Sequence, residues 1–273
     1  MQTNQRGVPT PDLRIVSTDR VHPHEEHDSQ RSVPLVERLR EEHYMINPPI
    51  VAPMDDDHFV VLDGANRYHA FSALGYHHIL VQVSTYESGY VELGTWRHVV
   101  SGWNVEALMA KLESLNRVAI SYGKVVDAIA QIVLRNGDKL MIQAVSDELG
   151  ARNVALRDVV DAYQKRANLY RTAIENPDEV WPLFPDAIAL VIFPNYRPDD
   201  IMNAARHQAY IPPGISRHIV HGRALRVNYP LAWICDESKS LDEKNAQLKA
   251  WIQDKLARRE MRYYAEATYQ FDE

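Results

Sequence analysis

The chain has 273 residues, 45% of them hydrophobic, enough to bury a substantial core and suited to one large domain or two modest ones. A formal charge of -7 at pH 7 excludes a broad electrostatic surface for DNA or anionic lipid, leaving at most a local basic patch. The single cysteine, Cys235, excludes an internal disulfide and suits a reducing compartment. The opening segment MQTNQRGVPTPDL is polar and proline-containing, unlike a signal peptide, and no apolar run reaches the ~18 to 20 residues of a membrane helix. A soluble cytoplasmic protein is expected, with neither membrane nor nucleic acid as its partner.

Residues 1 to 12 read as a frayed tail, followed by a short strand at Leu13–Val16 and a polar loop around His22, His24 and Glu25. Apolar positions 35, 36 and 39 predict an amphipathic helix from Ser32 to His43 with Pro34 in its first turn, and Asn47-Pro48-Pro49 stops it. Ile50–Ala52 and Phe59–Leu62 flank the acidic turn Asp55-Asp56-Asp57 as a hairpin. The second of these runs breaks at Asp63-Gly64 and restarts as a helix on which Tyr68, Phe71 and Leu74 recur at helical spacing. Backbone N–H groups at that helix start, its dipole and Arg67 can converge on a phosphate, and Asp63 can hold a divalent cation. The same strand-turn-helix unit also serves simply to build a sheet, and Asp63 fits equally a turn aspartate that caps the helix. A strand at Ile79–Val83 completes a compact α/β or α+β unit.

Past Trp96 the pattern predicts a helix at Val105–Leu115, a hairpin around Arg135-Asn136-Gly137-Asp138, a helix at Asn153–Ala173, a buried strand at Ala187–Phe193 and a helix at Pro198–His207. Residues 211 to 234 hold a proline-glycine turn and alternating strand material. Leu241–Ala265 reads as a long amphipathic helix whose Trp251–Tyr264 face packs on the core or on another copy. His22, His24 and His27 lack the spacing of a zinc site. His77-His78 ends a helix or faces water.

The order Pro23-His24-Glu25, Asn47-Pro48, Val61-Leu62-Asp63-Gly64-Ala65-Asn66-Arg67 and Ala73-Leu74-Gly75 resembles the ParB/sulfiredoxin superfamily. Ala65 stands where a sulfiredoxin carries its nucleophilic cysteine, and the turn lacks the glutamate of the partitioning proteins. The free L-serine kinases, with Asp-Gly-x-His-Arg at this turn, are the better match. Similarity to them continues through Thr95-Trp96 and Ile211-Pro212-Pro213-Gly214-Ile215-Ser216-Arg217-His218. Bacterial siderophore-cluster serine kinases also share a segment like Gly222-Arg223-Ala224-Leu225 through Pro230-Leu231-Ala232. The resemblance spans roughly residues 13 to 270 and is weakest from about 103 to 185.

The resemblance implies a ParB/sulfiredoxin-like nucleotide-binding domain over residues 1–100 and a C-terminal α/β domain over 101–273 that completes the substrate site. It implies phosphorylation of free L-serine to O-phospho-L-serine, with magnesium and ATP or ADP as donor. Glu25 matches the family's catalytic glutamate, although it and Glu26 are equally readable as solvated loop acids. Asp63, Gly64, Ala65, Asn66 and Arg67 would hold the nucleotide phosphates, with Asp63 on the metal. Thr95, Trp96, Ser216, Arg217 and His218 would meet serine, although a tryptophan also fills cores and the 216–218 turn also suits a solvent-facing edge. Asn66 stands where these kinases usually carry histidine, and it donates a hydrogen bond without charge or a mobile proton. That departure motivates the alternative of a catalytically silent nucleotide-sensing or DNA-binding regulator. A third possibility is a different small hydroxyl acceptor.

Overall fold

The computed structural model describes residues 10–27, 29–55, 57–123 and 125–264. Of the expected tail over residues 1–12, positions 1–9 lie outside them, as do Asp56 of the acidic turn and the expected end of the last helix at Ala265, while Asp12 belongs to the first strand instead. The chain opens with β1 (Asp12–Ser17), β2 (Val21–Pro23), α1 (Ser29–Glu41) and β3 (Tyr44–Met45). The hairpin β4 (Ile50–Asp55) and β5 (His58–Asp63) follows, then α2 (Ala65–Ala73), β6 (His78–Val83), β7 (Val91–Thr95) and β8 (Arg97–Ser101). Next come α3 (Val105–Glu113), β9 (Val118–Ser121), β10 (Ala130–Leu134), β11 (Lys139–Ala144), α4 (Leu149–Gln164) and β12 (Asn168–Thr172). The remainder is α5 (Pro177–Leu183), β13 (Ala187–Ile192), α6 (Pro198–Arg206), β14 (Ser216–Val220), β15 (Tyr229–Pro230), α7 (Leu231–Ile234) and α8 (Leu241–Ala257).

Two compact units emerge. One takes the described residues up to Val21, Ser29–Glu92 and those from Val220 onward; the other takes the described residues of 22–28 and Leu93–Ile219. The expected single boundary at residue 100 is therefore replaced by several crossings. The cause lies in the pairing: β15 lies antiparallel to β3, Tyr229 opposite Met45, so the last part of the chain returns to complete the first unit.

The first unit carries the strand order β1-β6-β4-β5, with Val21 of β2 next to β5. Val60, Val61 and Leu62 are all buried, which explains an apolar run without alternation. β1 pairs antiparallel with β6, Ile15 opposite Leu80, and β4 runs parallel to β6. Ile15, Val61, Phe71, Leu80, Tyr229 and Leu248 share one core. The α8 helix begins in a capping box between Ser240 and Glu243. Its Asn245 caps the sheet edge: Oδ1 accepts from the Ile15 amide at 2.9 Å and Nδ2 donates to the Ile15 carbonyl at 2.8 Å. The neighbouring Lys244 is buried, its Nζ donating to the Ile234 carbonyl at 2.7 Å and lying 3.0 Å from His78 Nδ1. His78 therefore starts a strand against a lysine rather than ending a helix, and burial, with the Lys244 charge, lowers its pKa.

The second unit is an antiparallel sheet in the order β12-β8-β13-β10-β11-β9. Leu156, Val159 and Tyr163 of α4 are buried in this unit. The hairpin turn expected at Asn136-Gly137 is present, with Gly137 at φ 95°. The helix expected over Asn153–Ala173 instead ends at Gln164, and Asn168–Thr172 forms β12 against β8. Pairing with β8 overrides the helical spacing there. Helix α1 begins at Ser29, so Pro34 lies inside it rather than in its first turn. Within the expected strand material of 211–234, Leu231–Ile234 is the helix α7. Trp251 packs edge-on to Tyr229 with ring centroids 5.2 Å apart, but Tyr263 and Tyr264 lie past the end of α8 and are exposed.

Candidate active site

In the first unit, β5 delivers Asp63 to its C-terminal end and Gly64 turns the chain into α2. Gly64 has φ 93°, and a Cβ there would lie 3.1 Å from the Pro49 Cα, so both the turn and the close approach require glycine. Gly64 caps α2 without any side-chain acceptor, and Ala65, Asn66 and Arg67 make the first turn. The Arg67 guanidinium donates to the Asn47 carbonyl and lies 3.8 Å from Asp63 Oδ2. A second guanidinium reaches the same oxygen: Arg223 Nη1 donates to it at 2.8 Å. Two cations thus converge on one carboxylate beside a helix start, which makes the cluster electropositive.

In the second unit, the segment after β2 runs parallel to residue 211. Ile211 donates its amide to the His24 carbonyl at 2.9 Å, and its own carbonyl accepts from the Glu26 amide at 3.2 Å. This pairing separates the two adjacent glutamates. Glu26 turns to α4, where its Oε2 lies 2.7 Å from Arg157 Nε. Glu25 turns to the loop before β14, where its Oε2 accepts from the Gly214 amide at 3.2 Å and from the Ser216 hydroxyl at 3.4 Å. His24 Nε2 lies 2.7 Å from Ser216 Oγ, and the His24 ring meets His218 edge-on at 5.3 Å. With the hydroxyl proton turned to Glu25, His24 Nε2 must be the donor to Ser216. The set is not a hydrolytic triad, because the carboxylate contacts the hydroxyl rather than the imidazole.

Trp96 stands next to this group. Its amide donates to the Ile215 carbonyl at 2.8 Å, and the Arg217 guanidinium lies over its ring at 4.4 Å, a cation–π contact. The buried Thr95 is positioned by donating from Oγ1 to the Pro194 carbonyl at 3.2 Å. The expected substrate residues Thr95, Trp96, Ser216, Arg217 and His218 are therefore gathered with Glu25 in one unit. The expected phosphate residues 63 to 67 are gathered in the other.

Three contributors escaped the sequence reading. His98 lies fully buried beneath the Glu25 turn: its Nε2 donates to the Gly214 carbonyl at 3.3 Å and its Nδ1 accepts from the Tyr163 hydroxyl at 2.8 Å. Burial lowers its pKa to about 4, keeping the imidazole neutral as that bonding requires. The Arg171 guanidinium lies against Gly214, where an added Cβ would fall 2.0 Å from one of its nitrogens. Arg223 sits in the segment whose family resemblance was noted, but nothing local marks it as the partner of Asp63. Among the described residues no three His, Cys, Asp or Glu side chains gather as a metal cage. Nor is any helix among them long and apolar enough to cross a membrane.

No protein-family model matches the chain. Over 263 residues it is 24% identical to the ATP-dependent L-serine kinase SbnI of Staphylococcus aureus, covering 94% of this chain and 96% of that protein. The structure of SbnI with a C-terminal truncation superposes with a TM-score of 0.71 at 20% identity, covering 90% of this chain and 96% of that one. A free serine kinase in complex with AMP superposes with a TM-score of 0.70 at 14% identity, covering 85% and 98%. The fold is that of the free serine kinases. By sequence, along nearly its whole length, the chain is similar to a protein named as an L-serine kinase.

Proposed function

We propose that this chain phosphorylates free L-serine on its hydroxyl, with ATP as donor, giving O-phospho-L-serine and ADP. The observation that carries the reading is the placement of Glu25 rather than Glu26 on the Gly214–Ser216 turn, in a chain similar along 94% of its length to a protein named for that reaction. That relative's description as ATP-dependent favours ATP over ADP.

Phosphoryl transfer to an alcohol needs a proton acceptor, donors around the phosphates and walls that hold the reactants in line. Glu25 takes the serine hydroxyl proton as the serine oxygen bonds to the γ-phosphorus. The bond from that phosphorus to the β–γ bridging oxygen breaks, and ADP departs with the electron pair. Arg67 and the amides at the start of α2 hold the phosphate oxygens. Arg217, braced on Trp96, offers its fork to the serine carboxylate, while Ser216 and His218 bound the same pocket wall with Thr95 behind. Asn66 supplies a hydrogen bond without charge.

Magnesium suits this donor set as a cation carried on the nucleotide, which asks the protein for only one or two carboxylates; Asp63 is the one at hand. When bound, it neutralises charge on the phosphate oxygens. A catalytically silent regulator is not favoured, since the similarity to one protein named as a kinase covers 94% of the chain.

The test is mass spectrometry of purified protein incubated with L-serine, magnesium and ATP. Phosphoserine is expected from the wild type, with a loss of about 10² to 10⁴ in rate for Glu25→Gln. Glu26→Gln, whose side chain is engaged by Arg157, stays within a few fold. No phosphoserine from the wild type, or equal effects of the two substitutions, overturns the reading.

A further inference from the structure

The loop between β14 and β15 presents Arg223 to Asp63, and the means by which it is held are unusually specific. Gln82 of β6 is 4% exposed and spends both ends of its amide on that loop. Its Nε2 donates to the Gly222 carbonyl at 3.0 Å and its Oε1 accepts from the Ala224 amide at 2.8 Å, so the peptides on either side of Arg223 are fixed. Asn47 ties the same loop to Arg67: its carbonyl accepts from Arg67 and its Oδ1 accepts from the Arg226 amide at 3.0 Å. The Val227 amide then donates to the Ile46 carbonyl at 2.8 Å. Arg226 and Asn228 sit at φ 51° and 52°, a left-handed conformation that non-glycine residues hold only when their surroundings impose it.

These bonds carry a guanidinium to the start of α2, beside the one already there. Stability does not account for the arrangement. The Arg223 and Asp63 side chains remain 32% and 37% exposed, and an ion pair so exposed contributes little. Both guanidinium groups come to the same oxygen of Asp63, Arg223 at 2.8 Å and Arg67 at 3.8 Å. A polyanion at the helix start would meet both forks at once, and its oxygens would compete for Arg223 with a partner held only weakly.

We propose that Arg223 is a second phosphate-binding residue of the nucleotide site: Asp63 holds its guanidinium ready, and the nucleotide's terminal phosphates take it over. This rests on the kinase reading above. It assigns to the returning C-terminal segment a contact that the N-terminal turn alone cannot supply. The exchange also frees the Asp63 carboxylate.

The experiment compares ATP, AMP and adenosine binding by calorimetry, with and without EDTA, for wild type, Arg223→Gln and Arg223→Lys. Arg223→Gln is expected to weaken ATP at least about tenfold, AMP less and adenosine not at all, because the loss follows the phosphates. Arg223→Lys keeps the charge without the fork and falls between. In turnover assays the KM for ATP rises while that for serine stays within twofold. Equal weakening of ATP and adenosine marks a merely structural role and overturns the proposal, as does ATP affinity unchanged in Arg223→Gln. Should that variant fail to fold by circular dichroism, wild-type ATP affinity in Arg223→Lys overturns it instead. Wild-type protein that binds no ATP and makes no phosphoserine defeats the kinase reading itself, a result distinct from failure of Arg223 alone.

Discussion

Acidification should loosen the second unit through His98, and the size of the effect follows from its environment. Burial, partly opposed by the bond to the Gly214 carbonyl, places the folded-state pKa at about 4, while an unfolded histidine titrates near ~6.5. Between those values the unfolded chain takes up a proton that the folded chain refuses. The stabilisation is therefore complete above about pH 6.5 and is lost as pH falls toward 4, at roughly 1.4 kcal/mol per pH unit. From pH 6.5 to 5 this amounts to about 2 kcal/mol, or a fall of roughly 4 to 8 °C in Tm for a chain of this size. His98→Gln isolates the effect, since its amide can donate to Gly214 and accept from Tyr163 without titrating. His78 also has a lowered pKa, but it contributes equally to both proteins and cancels in the comparison. Calorimetric melts across pH 5 to 7 should show a markedly flatter profile for His98→Gln. Parallel profiles would refute the argument that this imidazole is held neutral by burial.

Gly214→Ala places a Cβ against Arg171 at φ 78° and should lower stability by roughly 1 to 2 kcal/mol, together with a clear loss of phosphoserine formation. Gly75→Ala, at φ 72° with open space around it, is the control for backbone strain alone and should keep its rate; equal rates for the two variants would remove Gly214 from the site. Trp96→Ala removes the surface under Arg217, a contact of about 0.5 to 2 kcal/mol, so the KM for serine should rise about 2- to 30-fold with that for ATP unchanged, as a coupled-enzyme assay would report.

What could be read from the sequence was what is local. The run from Phe59 to Arg67 announces strand, turn and helix because burial, glycine geometry and helical spacing all act within a few residues. The hairpin at Asn136-Gly137 is legible for the same reason. β8 was not, because Arg97 and His98 make it look polar although every residue of it is buried. Their partners, Glu175 at 2.6 Å from Arg97 and Tyr163 on His98, come from distant segments. The same holds for Arg223, whose partner Asp63 is 160 positions away, and for Lys244, which reads as a surface lysine on an amphipathic helix yet is buried. Choosing Glu25 over Glu26 rested on the resemblance; the pairing with Ile211 sends their side chains to different partners, Glu25 to the Gly214 turn and Glu26 to Arg157.

The Asn245 amide that closes the edge of β1 lies 230 positions downstream of the residue it covers. On the ribosome, β1 must therefore wait for its cover while about 230 further residues are made, roughly 10 to 50 s at ~5 to 20 residues per second. During that interval an unpaired strand edge is a template for a neighbouring nascent chain. Yield in the cell should thus depend on elongation rate and on chaperones that shield the emerging N-terminal strands, a burden that follows from where one asparagine was placed.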